Sequence, residues 1–154
     1  MPFLSKQAHL KSYRVRRNET AEISELIKLT DEIRKCEIPV SLKNKFLKIV
    51  IWEMTRINGD FNGRYRSSGV LSKMGVKIQR DHVMRKEGLI SRLLNGDETT
   101  RDILKGTVHR VVTEEEHKCL TLFDKQNKSI DGWKRYEACK IEVYDFAGDK
   151  KRII

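Results

Sequence analysis

The stretch Ile78-Gln-Arg-Asp-His-Val-Met-Arg85 decides how this chain is read. Val76, Ile78 and Arg80 alternate with Lys77, Gln79 and Asp81. A two-residue period predicts a strand whose two faces meet different surroundings. That strand ends on an acid and an imidazole, Asp81-His82, within a basic neighbourhood. Successive side chains of a strand point to opposite faces, so the pair divides between them.

Downstream, residues 86–104 read as helical, with Leu89, Ile90, Leu93 and Leu94 on one side. Asn95-Gly96 interrupts this helix, and Asp97 or Thr99 can cap a second piece that ends at Gly106. Thr107-Val-His-Arg-Val-Val112 follows as a second strand. Thr113-Glu-Glu-Glu116 is a Thr-x-x-Glu capping box that opens a helix over 114–123 and sets His117 in its first or second turn. Trp133, Tyr136 and Ala138 are expected to close the core, and Ile141, Val143 and Tyr144 to form a final strand.

Upstream, Ile23, Leu26, Ile27 and Ile33 hold helical spacing over 20–36, with Thr20 or Asn18 as cap. Pro39 ends that element. Ser41 is expected to cap a helix over 42–57, whose Leu42, Phe46, Ile49, Val50 and Met54 predict the core helix. Asn58 to Gly69 is rich in Gly, Asn and Ser and reads as a loop. Its Arg64, Tyr65 and Arg66 set cations around an aromatic ring, a combination suited to phosphate and base. Residues 70–74 allow one helical turn. Residues 1–18 read as a basic arm. The expected architecture is α+β. A helical part (19–75) packs on a small ββα unit with a helical insertion (76–123), and 124–154 closes a single domain.

The 154 residues carry a net charge of +10. A charge of this size speaks about partners, and favours nucleic acid first, then an acidic protein or an anionic membrane surface. Cys36, Cys119 and Cys139 include no Cys-x-x-Cys pair, so a thiolate zinc site is not expected, and reduced, mostly structural thiols in a cytoplasmic protein are. No apolar run of about 18 residues is present, so no membrane partner is expected. Gly-rich phosphate loops of the P-loop or dinucleotide type are absent.

Asp81-His82 closing one strand, His109 on the next, and His117 eight residues further on a helix together resemble the HNH, or ββα-metal, endonucleases. The resemblance covers residues 76–123. Its departures are a helical insertion between the two halves, no proline after His82, no knuckle cysteines, and His109 where Asn is usual. The resemblance implies a hydrolase that cuts phosphodiester bonds of DNA, or less readily RNA, with a phage- or defence-related association. It implies that Asp81 and His117 hold a divalent ion (Mg, Mn or Zn) and that His82 takes a proton from water. His109 would orient His82 or add a ligand, and Arg80, Arg85 or Arg110 would clamp phosphate. A homodimer is compatible with the chain. The alternative class is a non-catalytic basic protein that binds nucleic acid, or an inhibitor that binds an acidic partner. A histidine beside an acid is, taken alone, more often a surface ion pair than a catalyst.

Overall fold

The computed structural model describes residues 19–57, 64–72, 76–147 and 151–153. The basic arm, the cap at Asn18 and residues 58–63 lie outside the described residues. The fold is α+β, with a mixed sheet between two helical layers.

Helices α1 (Glu19–Lys35) and α2 (Val40–Ile57) come first. Thr20 and Ser41 lie inside their first turns rather than capping them. At α2 the carbonyl of Pro39 instead accepts from Leu42 N at 2.9 Å and Lys43 N at 3.1 Å. Lys43 Nζ donates to Arg34 O at 2.8 Å, and Arg34 reaches on to Thr100 Oγ1 at 2.8 Å, tying α1 to its neighbours.

The buried face of α2 includes two of the five expected residues, Val50 and Met54, and leaves out the other three. Leu47, Val50, Ile51, Met54 and Ile57 are buried, whereas Leu42, Phe46 and Ile49 are exposed, Ile49 at 58%. One residue step turns a helix by about 100°, so adjacent Phe46 and Leu47 belong to different faces. The face chosen is the one that meets both Ile23, Leu26 and Ile27 of α1 and Leu89, Ile90 and Leu93 further on.

The last residues of the segment read as a loop form regular structure. Tyr65–Ser67 forms strand β1, and Ser68–Ser72 forms α3. Strand β2 (Ile78–His82), helices α4 (Lys86–Asn95) and α5 (Thr100–Leu104), strand β3 (His109–Thr113) and helix α6 (Glu114–Gln126) then follow close to the expected bounds. Gly96 closes α4 with φ of 80°, a left-handed conformation that a residue with a Cβ adopts at a cost. Thr99 caps α5 by accepting from Asp102 N. Helix α7 (Lys134–Ala138) and strands β4 (Val143–Asp145) and β5 (Lys151–Arg152) complete the chain, so one strand follows the segment expected to be last.

The strands run in the order β2-β3-β1-β4-β5. β2 and β3 are antiparallel, β3 and β1 parallel, and β1 and β4 antiparallel. The ββα unit is therefore one edge of a wider sheet, and β2 is the edge strand. Helices α1, α2, α4 and α5 share one core cluster, and α2 meets the sheet at His82. A second cluster holds Val112, Val143 and Leu120 with Tyr136, which is buried, while Ala138 is exposed. Cys36 and Cys119 are exposed, contrary to a structural role, and Cys139 is half-buried. Among the described residues no helix is long and apolar enough to cross a membrane.

The capping box at Thr113 holds the sheet to α6. Thr113 Oγ1 accepts from Glu116 N at 3.1 Å, and Glu116 Oε2 accepts from Thr113 N at 2.8 Å. Ser67 Oγ donates to the same carboxylate at 2.5 Å, which draws β1 into the junction. A Cβ on Gly69 would strike the Glu116 carboxylate. Gly69→Ala is therefore expected to break the box and cost about 1–2 kcal/mol. Chemical denaturation with Gly69→Ala beside a Glu116→Ala control checks this: the two losses should be similar and should not add.

Candidate functional site at the sheet edge

The register of β2 and β3 sets Asp81 opposite Arg110 and His82 opposite His109. Asp81 and Arg110 face α6 and α7, and His82 and His109 face the α2 layer. Because β2 is the edge and the pair lies at its end, one open groove of about 840 Å³ reaches both faces. Asp81, His82 and His117 all line it.

On the first face, the capping box fixes the start of α6 and brings His117 beside Asp81. His117 Nδ1 stands 3.2 Å from Asp81 Oδ1. The two atoms are off line for a hydrogen bond, and His117 Nδ1 is buried with no in-line partner among the described residues. The hydroxyl of Tyr136 donates to Asp81 Oδ2, and Arg135 Nη1 is 3.5 Å from the same oxygen. Burial alone would raise the Asp81 carboxyl. Its contacts with His117 and Tyr136 and the charge of Arg135 outweigh that and hold it below the ordinary carboxylate value. The Asp81 contact in turn raises His117, against a smaller opposing effect of burial.

On the second face, His82 Nε2 is 2.9 Å from Thr55 Oγ1. That hydroxyl donates its one hydrogen to Ile51 O at 2.8 Å. It must therefore accept from His82, which places the proton on Nε2 and leaves Nδ1 with the lone pair. Trp52 meets the imidazole edge-on at 4.9 Å and also lies beneath Arg80 (5.3 Å) and Lys86 (4.8 Å). Burial pushes His82 down to about 4, and Lys86 and His109 add to the shift. His82 is thus neutral at neutral pH.

This shift has a consequence for stability. The unfolded chain takes up the His82 proton at its ordinary value near 6.5, and the folded chain resists it until about 4. Stability is therefore full above the ordinary value and lost as pH falls toward 4, by a few kcal/mol at most. Asp81, also held low, extends the loss to more acid pH. His117 has the opposite sign: its contribution is full below its ordinary value and is lost as pH rises through its raised one. Thermal melts of metal-free protein at intervals from pH 7 to pH 4 should show the acid slope. His82→Gln, which keeps a donor for Thr55, should flatten it.

The cationic residues separate into two groups. Arg80, Arg85, Lys86, Lys125 and Lys128 line the groove. Arg85 is braced there: its backbone N donates to Asp131 Oδ1 at 3.0 Å, and its guanidinium donates to Ile130 O at 3.1 Å. Tyr65 and Arg66 lie on β1 and Arg64 just before it, with β3 between that strand and β2. Arg64 makes a paired contact with Asp145, with both distances 2.8 Å. Tyr65 is half-buried and edges Trp133 at 5.4 Å. Arg66 is buried against the Phe146 ring at 4.8 Å. Arg110 is fully buried between Trp133 (4.1 Å) and Tyr136 (3.5 Å). Arg66 and Arg110 thus offer no surface to phosphate, because their strand positions face inward and the rings cover them. His109 is buried at 2% exposure on the helical face and does not line the groove.

Sequence patterns alone missed Thr55, Trp52, Lys86 and Arg135. Arg135 binds Asp124 through two nitrogens and donates to the carbonyls of His82 (2.8 Å) and Val83 (3.0 Å). Arg135 lies between Trp133 and Tyr136, two residues expected in the core, and that position is the signal that could have found it. Comparisons with family models, curated proteins and solved structures found no match to this chain.

Proposed function

We propose that the chain is a metal-dependent endonuclease that hydrolyses phosphodiester bonds of DNA. One observation carries this reading. Asp81 and His117, distant in sequence, stand 3.2 Å apart at the end of a ββα unit, in the same cation-lined groove as a neutral His82.

A donor set of one carboxylate oxygen and one imidazole nitrogen accepts Mg, Mn or Zn. Neighbouring ligands of an octahedral ion at about 2.1 Å are roughly 3 Å apart, close to the Asp81–His117 spacing. The unbonded Nδ1 of His117 and the Oδ1 of Asp81 are the donors, while Tyr136 and Arg135 orient the carboxylate through its other oxygen. Among the described residues no third His, Cys, Asp or Glu completes a protein cage. Two protein donors suit an ion shared with water and substrate phosphate, as Mg is commonly held. When bound, such an ion offsets the charge that builds on the attacked phosphate and its leaving oxygen.

The chain's own residues supply the rest. His82 Nδ1 carries the free lone pair and accepts the proton of the attacking water. Arg80 and Lys86 hold the phosphate electrostatically, and Trp52 offers a ring between them. A second reading, a module that binds DNA without cutting, is favoured by the contacts that Asp81 already makes with Tyr136 and Arg135.

Supercoiled plasmid incubated with Mg, Mn or Zn separates the two. The first reading expects nicking that EDTA stops. A salt-sensitive gel shift with no nicking under any of the three metals would overturn it in favour of binding alone.

A further inference from the structure

We infer that Thr55 is a positioning residue, which locks His82 in the one tautomer that presents a lone pair to the groove. This deepens the proposed nuclease reading, and rests on it for what that lone pair does.

Thr55 lies on α2, outside the ββα unit and 27 residues from His82 in sequence. It is fully buried, in a helix whose other buried residues are Leu47, Val50, Ile51, Met54 and Ile57. Packing there does not call for a hydroxyl. Valine has the same shape and a similar helix preference, and brings no polar atom to bury. Thr55 Oγ1 donates to Ile51 O at 2.8 Å, as a threonine inside a helix often does. Thr30 of α1 donates in the same way to Leu26 O at 2.6 Å, so that bond alone singles out nothing. Thr55 differs by its second contact, 2.9 Å from His82 Nε2.

The two contacts together decide which atom donates. A hydroxyl has one hydrogen and two lone pairs. The Ile51 carbonyl takes the hydrogen, so the imidazole gives one. Nε2 then carries its proton inside the core, and Nδ1 is the nitrogen left to the groove that His82 lines. The opposite tautomer would either set two lone pairs face to face at 2.9 Å or pull the hydroxyl off Ile51 O. The ring has little room to turn away, because it is 9% exposed and Trp52 meets it edge-on at 4.9 Å. A base is useful only when its lone pair faces the water and a third group holds it so. Thr55 does this from behind the imidazole, and acts through His82 alone.

The test is a spectrum of the full chain with nitrogen-labelled histidine, at neutral pH and without metal. Protonated and unprotonated imidazole nitrogens give separate signals there, and His82 is the set missing from His82→Gln. The wild type should show one tautomer, protonated at Nε2. Thr55→Val keeps the shape and removes the acceptor. A buried N–H without a partner is costly, so the form protonated at Nδ1 should become the main one. Thr55→Ser should return the wild-type signals. In the plasmid assay Thr55→Val should lower nicking about tenfold at saturating DNA, with DNA affinity within about twofold, and Thr55→Ser should recover most of it. Circular dichroism checks the fold, and the wild-type spectrum bears on the lock even if Thr55→Val does not fold. Wild-type protonation at Nδ1, or a Thr55→Val tautomer like the wild type's, would overturn the inference. So would a changed tautomer with unchanged nicking. A chain that shows the lock and never nicks loses the nuclease reading and keeps the lock. One that nicks with Nδ1 protonated loses the lock alone.

Discussion

Arg135→Ala is expected to cost about 3–5 kcal/mol, a large part of the roughly 5–15 kcal/mol that holds a domain of this size. The side chain is 2% exposed. Its Nε and Nη2 bind Asp124 at 2.7 and 2.6 Å, and its Nη1 serves the carbonyls at the end of β2. One guanidinium thus fastens α6, α7 and the strand that carries Asp81. Burial disfavours its charge, yet the Asp124 contact together with Asp81 and Tyr136 raises its pKa overall. Alanine would leave the Asp124 carboxylate and two carbonyls without their donor, and Asp81 without its nearest fixed cation. Lysine would restore charge but not the fork that grips a carboxylate and two carbonyls together, so Arg135→Lys should recover less than half of the loss. Urea denaturation of the metal-free proteins measures this. The double variant Arg135→Met with Asp124→Leu should be more stable than Arg135→Ala, because no half-pair then remains buried. A loss under 1 kcal/mol for Arg135→Ala would mean that the network is not what holds the strand end.

What the sequence disclosed follows from how local each signal is. The alternation into Asp81, the Asn95-Gly96 break and the Thr113–Glu116 box depend on a few adjacent residues, and each element lies where its pattern puts it. His117 beside Asp81 is what the resemblance implied, whereas no local pattern says that the two halves meet. Strand β1 was not legible. Three residues in a Gly- and Ser-rich segment have little preference of their own, and Tyr65–Ser67 is extended because β3 and β4 supply partners on both sides. The burial of Arg66 and Arg110 was equally hidden, since charge normally marks surface. Only the assembled core shows aromatic rings closing over them. The face of α2 was ambiguous for a related reason: the helix is apolar on more than one side, and packing against α1 and α4 chose between them.

His82→Gln is expected to lower plasmid nicking by about 100- to 10,000-fold while leaving DNA affinity within about twofold, since a general base acts on the transition state and scarcely on binding. Glutamine keeps a donor for Thr55 Oγ1, so the fold at neutral pH should survive, and melting temperature serves as the control. The wild-type profile gives a second readout. A histidine that must be unprotonated fails as pH drops through its own pKa, and burial has moved that value to about 4 rather than the ordinary 6.5. The acid limb of nicking should therefore lie well below pH 6. Trp52→Leu should bring it back toward neutrality, because a smaller side chain at the edge of the imidazole readmits water and relieves the desolvation. If His82→Gln nicks at the wild-type rate, the proton passes elsewhere and His82 serves only to join β2 to α2. If nicking falls but the acid limb of the wild type stands at 6.5, a group with an ordinary imidazole value sets the limb, and the lowered His82 value does not govern the reaction.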